Sequence, residues 1–384
     1  KMHNYKLTRR DFLKASGASL FLAGIPLQGF TQDKPPGKIS VIILEGGMDG
    51  LSAVPAFGDP NFEKMRGILV PENYLKLNSF FGLHPSLKNL SSLMASNNAS
   101  IVHATSFPYK KRSHFEGQNL IQGGGLTPFS EKTGWLGRSL ELAKIPGRAL
   151  SLEMPLILRG YGENDNFFPA KINNSSKINI NLVEKLTAAH GKLGSDVFEK
   201  VKQKSLLTLE NMPRDPQSLA EYAGKAMAKK DGPTASVIRL SGFDSHASQD
   251  DGNGNDHGVD LAKIDEVIAA YKRGLGGAWD NSIILTITEF GRTVAVNGTR
   301  GTDHGYGSAG IIAGGAISKS RVISDWPGLA KNEQHEQRDL MATIDYRSVC
   351  AACIEKSLGL DHDLIANKVF FEPKLPRVFD YLFS

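Results

Sequence analysis

Residues 39–50 read Ile-Ser-Val-Ile-Ile-Leu-Glu-Gly-Gly-Met-Asp-Gly. The run Ile39–Leu44 is almost wholly β-branched and apolar and is closed by Gly46 and Gly47, which predicts a strand covered on both faces. Such a strand belongs in the middle of a parallel sheet. Working outward, Ser100–Ala104, Thr234–Leu240, Ser282–Thr288 and Ser308–Ala313 are four more runs of this kind. Between the third and fourth, apolar residues at 261, 264, 267, 268 and 271 mark one face of a helix, as a βαβ crossover requires. The alternation predicts an α/β fold with a largely parallel central sheet. The stretch from Glu153 to about Lys230 is polar and weakly patterned, and reads as a cap or insertion (153–230).

The 384 residues, 40% hydrophobic and 22% charged, suit one large domain or two medium ones and exclude a disordered or multi-span membrane chain. The net charge of +5 is confined to the front: residues 1–38 carry seven basic and two acidic groups, leaving 38 of each in the rest. A neutral body excludes a nucleic-acid partner, which would need clustered Lys and Arg. Two cysteines, Cys350 and Cys353, cannot make a disulfide framework, and their spacing inside a helical stretch reads as buried thiols.

Thr8-Arg9-Arg10-Asp11-Phe12-Leu13-Lys14, followed by the uncharged stretch Ala15–Phe30, resembles the twin-arginine signal of proteins exported in the folded state. Residues 1–30 are therefore expected to be an export signal and 31–37 a linker, with the body at 38–384. The export machinery is then a partner and the location periplasmic or otherwise extracytoplasmic. No membrane span is expected unless the signal is kept as an anchor.

In open α/β sheets ligands bind beyond the carboxyl ends of the strands. Metal-ligand residue types collect there: Asp49 after the first strand, Asp244 and His246 after the third, Glu289 with Arg292 after the fourth, and Asp303-His304 before the fifth. Carboxylates mixed with imidazoles suit zinc, manganese or iron, whereas an all-oxygen set suits calcium or magnesium. Two serines follow the second strand. Ser106 precedes Phe107-Pro108, and Ser113-His114 opens the next helix, where Ser113 is either a nucleophile or an N-cap with Glu116 closing a capping box. His114 and Arg112 are the nearest donors. Arg292 either binds an anionic oxygen or orients Glu289. His103 and His257 read as structural.

The runs GGMDGLS, RSHFEGQNLIQGG, TGWLGR, FDSHASQ, TEFGRT and NGTRGTDHGYGSAG resemble an exported bacterial family, domain of unknown function 1501, grouped with the alkaline phosphatase and sulfatase superfamily. The resemblance implies a three-layer, alkaline-phosphatase-like sandwich with a cap. It implies a divalent metal (zinc, manganese or calcium) held by Asp49, Asp244, His246, Glu289, Asp303 and His304, and catalytic roles for Ser106, Ser113, His114 and Arg292. Phe290 stands where the superfamily places a histidine ligand of a second metal. Two functions follow: a metal-dependent hydrolase of phosphate or sulfate esters, or a catalytically degenerate binding or assembly protein.

Replacing Arg9 and Arg10 by Lys keeps the charge but not the guanidinium pair. The variant is expected to accumulate folded in the cytoplasm, as cell fractionation would show. Unchanged export would refute the signal.

Overall fold

The computed structural model describes residues 36–145, 149–150, 155–160, 213, 215–249 and 257–384. The expected signal (1–30) and the central part of the expected cap (161–212) lie outside these residues. In chain order the described elements are β1 (Lys38–Glu45), α1 (Gly50–Ala53), α2 (Phe62–Arg66), β2 (Leu75–Lys76), β3 (Gly82–Leu83), α3 (Lys88–Ala95) and β4 (Ala99–Ser106). Then come α4 (His114–Gly123), α5 (Trp135–Leu142), β5 (Ala149–Leu150), α6 (Pro216–Met227), β6 (Ala235–Ser241), α7 (His257–Leu275) and β7 (Ser282–Thr288). The chain closes with β8 (Ser308–Ala313), β9 (Val322–Ile323), β10 (Ile344–Asp345), α8 (Tyr346–Leu358), α9 (His362–Lys368) and α10 (Phe379–Phe383).

Eight of the strands form one sheet in the order β10-β4-β8-β7-β1-β6-β5, with β9 also on β4. All five apolar runs are strands in it. Leu44 of β1 stands opposite Leu240 of β6 and Thr288 of β7, so the carboxyl ends of these three strands are level. The pairing is parallel throughout except at β8, which runs antiparallel to both β4 and β7. The sheet is therefore mixed, mainly parallel. Because β8 is reversed, the loop that precedes it arrives at the same edge as the loops that follow β1, β4, β6 and β7.

Alternation of side chains splits the core into two layers, one on each face of the sheet. Ile42, Leu44, Ile238, Leu240 and Ile284 pack with α3, α6 and α7. Ile39, Val41, Ile43, Val237, Ile283, Leu285 and Ile287 pack with α4, α5, α8 and α9. This is a three-layer α/β sandwich. Helix α6 lies within the stretch read as a cap, yet Leu219, Ala220, Ala223 and Met227 are buried in the first layer, so the end of that stretch belongs to the body. Among the described residues, no helix is long and apolar enough to cross a membrane.

Cys350 and Cys353 are free and buried in α8, and burial pushes both thiols up. His103 in β4 and His257 at the start of α7 are buried, and burial holds both imidazoles down at about 4. In the unfolded chain they titrate near 6.5. Between those values the unfolded chain binds more protons than the folded one, so stability must fall as the pH drops from 6.5 toward 4. The two groups together predict a loss of roughly 4 kcal/mol between pH 7 and pH 5. Urea unfolding at the two pH values measures it, and equal stabilities would mean that the imidazoles are not held neutral.

Candidate metal centre

The turn after β1 is the base of the site. Gly46 and Gly47 have φ of 121° and 81°, and a Cβ on Gly46 would lie 2.3 Å from the backbone nitrogen of Asp244, so only glycine permits the loops after β1 and β6 to meet. Arg292, just beyond β7, is buried between them. Its Nε donates to the Gly47 carbonyl at 2.9 Å and its Nη1 to that of Thr302 at 3.2 Å. Its Nη2 reaches the carbonyls of Gly46 and Phe243 at 2.8 Å each and Asp244 Oδ1 at 2.6 Å. The expectation that Arg292 binds an anionic oxygen or pairs with Glu289 is corrected here: its donors are spent on four carbonyls and on Asp244. Burial would raise the Asp244 carboxyl, but this guanidinium overrides it and holds the group below the usual range.

Three imidazoles converge on Asp244. His304 Nε2 lies 3.0 Å from Asp244 Oδ1, 3.1 Å from His114 Nε2 and 2.9 Å from His246 Nε2. His246 Nε2 is 3.1 Å from Asp244 Oδ1, and His114 Nε2 is 3.4 Å from Asp244 Oδ2. His114, Asp244 and His304 place their ligand atoms within 4.8 Å of one another. A tetrahedral ion with bonds of about 2.0–2.1 Å sets its ligand atoms about 3.3 Å apart.

The far side of each ring is tied to an acceptor. His304 Nδ1 donates to the Arg112 carbonyl at 3.0 Å, His114 Nδ1 faces Glu289 Oε1 at 2.9 Å, and His246 Nδ1 faces Asp303 Oδ1 at 3.2 Å. With Nδ1 carrying the proton, each neutral ring turns a bare Nε2 lone pair toward the others and toward a carboxylate oxygen. Four acceptors with no donor among them repel, and a cation removes the repulsion. The residues fit a divalent metal, with carboxylates behind the rings fixing their orientation. The hydrogen bond that His114 donates to Glu289, helped by the carboxylate's charge, raises His114; burial lowers His304.

Asp244, His246 and His304, all singled out in the sequence, come together at one sheet edge. His114, expected as a donor, belongs with Asp244 and His304 to the candidate ligand triad. Glu289 and Asp303 stand one hydrogen bond behind His114 and His246. Glu289 is buried and also accepts the Gly46 N–H at 2.8 Å. Its proximity to α4 depends on Gly117, where a Cβ would come 2.9 Å from that of Glu289.

Asp49 does not join the cluster. It caps α1, with Oδ1 accepting the N–H groups of Leu51 and Ser52, while Oδ2 accepts from Ser52 Oγ, Gln249 Nε2 and the buried Arg66. Burial alone would raise Asp49; the Arg66 guanidinium brings it down to about 2. No feature of the sequence pointed to Arg66 or Gln249, which lie 17 and 200 residues away. Phe290 is buried with its ring 5.0 Å from His114 and 4.7 Å from His304, so it walls the centre without offering a ligand.

The two serines separate. Ser106 is still inside β4, paired with Asp345 of β10, and its buried Oγ has no hydrogen-bond partner. No hydrogen bond joins it to the cluster. Ser113 is the N-cap of α4, directly before His114, and its side chain makes no capping bond. The expected capping box is absent because Glu116 accepts from the Tyr109 hydroxyl at 2.9 Å, which in turn accepts the Ser113 N–H at 3.0 Å. Arg112, expected as a free donor, is paired with Glu336 and Asp339.

Solved structures similar to the chain include the C-terminal periplasmic domain of EptC from Escherichia coli, at 11% identity over 91% of this chain and 89% of that one, with a TM-score of 0.42. A protein in the alkaline phosphatase superfamily from Vibrio parahaemolyticus matches at 12% identity over 76% and 63%, with a TM-score of 0.41. The alkaline phosphatase of the Antarctic bacterium TAB5 matches at 12% over 75% and 95%, with a TM-score of 0.32. No curated protein sequence matches. The sequence profile of a family described as protein of unknown function (DUF1501) matches residues 40–362, and the chain belongs to that family.

Proposed function

We propose that the protein is an exported hydrolase of phosphate or sulfate esters that works with one divalent metal. The observation that carries the reading is the convergence of three imidazole nitrogens and the Asp244 carboxylate, each ring secured from behind. Zinc or manganese suits this nitrogen-rich set, and calcium, which takes oxygen ligands, does not. His114, Asp244 and His304 would hold the ion, with His246 beside them. Bound there, the ion supplies Lewis-acid polarisation of an ester oxygen and a lowered pKa for the attacking hydroxyl.

Ser113 is the nucleophile in this reading. It adjoins His114, its side chain is not used to cap the helix, and the first N–H groups of α4 face the same end, where they can take up developing negative charge. Asp303 and Glu289 keep the rings of His246 and His114 aligned. One ion rather than two is supported by Phe290 and by Arg66, whose fixed charge already neutralises Asp49. The extracytoplasmic location rests on the Arg9-Arg10 signal.

A binding or assembly role is the second reading. It is favoured by the placement of Arg292, which is fully buried and turned to loop carbonyls and Asp244 rather than presented to a transferred group's oxygens.

Purified protein is expected to contain about one zinc or manganese per chain by elemental analysis and to cleave an aryl phosphate or aryl sulfate. Ser113→Ala should lower kcat by several orders of magnitude with the fold intact, Ser106→Ala should not, and His304→Ala should lose the metal. Full activity in both serine variants would assign the attack to water. Metal without any ester cleavage would favour the binding role, and absence of metal would overturn the centre.

A further inference from the structure

The carbonyl that fixes His304 belongs to Arg112, a non-glycine residue with φ of 60°. L residues avoid that region, so the surroundings must impose it. The side chain of Arg112 supplies the hold. Its Nε and Nη2 donate to Asp339 Oδ2 at 3.0 and 2.6 Å, and Nη2 also reaches Glu336 Oε2 at 2.5 Å. The Asp339 side chain is fully buried whereas that of Glu336 is 57% exposed, so the bond to Asp339 is the strong one.

Asp339 is itself fixed by a small hairpin. His335 and Asp339 exchange backbone hydrogen bonds of 2.9 and 3.0 Å, and between them Glu336 and Gln337 both take positive φ, at 52° and 54°. The hairpin is anchored to the segment after β7, where Asp339 bridges Thr293 and the Val294 N–H donates to the Arg338 carbonyl at 3.0 Å. From the same hairpin Arg338 Nη2 donates to the His304 carbonyl at 2.5 Å. His304 is thus gripped at its ring by Arg112 and at its backbone by Arg338. Three left-handed non-glycine residues flank one ion pair, directly behind a candidate ligand.

We infer that Asp339 and Arg112 are positioning residues of the metal centre. The buried carboxylate holds the guanidinium, the guanidinium holds the Arg112 backbone in its left-handed conformation, and the carbonyl so presented fixes the ring plane and Nε2 lone pair of His304. The inference rests on the metal reading above and adds to it two residues that touch neither the ion nor a substrate.

The test measures zinc affinity of the full chain by competition with a chromophoric chelator, together with the visible absorption of the cobalt(II)-substituted protein. Arg112→Ala and Asp339→Ala should each weaken zinc binding about 10- to 100-fold, the range for partners that orient a ligand. Each should also shift the cobalt bands. Because the two act through one another, the double variant should bind no more weakly than the worse single one. Arg112→Lys, which keeps one donor for Asp339, should recover part of the loss. If Asp339→Ala does not fold, Asp339→Asn takes its place in the cycle. Wild-type affinity and cobalt spectrum in the single variants, or losses that simply add in the double, would overturn the relay while leaving the metal centre standing. A wild-type chain that binds no zinc or cobalt would remove both.

Discussion

One buried guanidinium organises the carboxyl edge of the sheet. Arg292 gathers carbonyls from the turn after β1, the turn after β6 and the segment before β8, at the meeting point of three loops. Its positive charge is permanent, since arginine does not lose its proton in a protein. It therefore ionises Asp244 and aims one carboxylate oxygen at the rings in the same act. Only the arginine side of this pair is buried; the Asp244 side chain stays half-exposed and open to the rings. Loop geometry and electrostatics at this edge have a common origin.

A second arginine handles the neighbouring carboxylate in a different manner. Arg66 projects from α2 and also donates to the carbonyls of Thr293 and Val294 at 3.1 and 3.3 Å, so its charge is built into the scaffold. Asp49 is neutralised by a side chain, Asp244 is left half-exposed to meet three imidazoles, and Phe290 packs against the rings of His114 and His304. The division gives one end of the edge a fixed cation and the other a place for an exchangeable one.

Much of the fold was legible because its signals are local. Ile39–Leu44 and Ser282–Thr288 are apolar on both faces, and the Gly46-Gly47 pair announces a tight turn. The direction of β8 was not legible, since a run such as Ser308–Ala313 has the same composition whichever way it points. Asp244, His246 and His304 were recognisable by residue type and by position beside strands. The roles of Arg292, Asp49 and Glu289 were not, because each is decided by partners far away in sequence: Gly46 for Arg292, Arg66 and Gln249 for Asp49, His114 for Glu289. Residue chemistry narrows the candidates, and only packing tells a ligand from the group that holds it.

The reversed strand has a consequence for how the molecule is assembled. Among the described strands, β8 is the only link between the block of β4 with its partners β9 and β10 and the block of β7, β1, β6 and β5. His114 follows β4 in the first block, and Asp244 follows β6 in the second. Until β8 inserts, each block ends in an unpaired edge of the kind that attracts other chains. Closing the gap requires pairing Ile101 with Ile311, contacts far apart in the chain that form slowly. His304 lies in the loop that leads into β8, so a chain cut short before it would lack His304 together with β8, β9 and β10, leaving β4 without its described partners in the sheet.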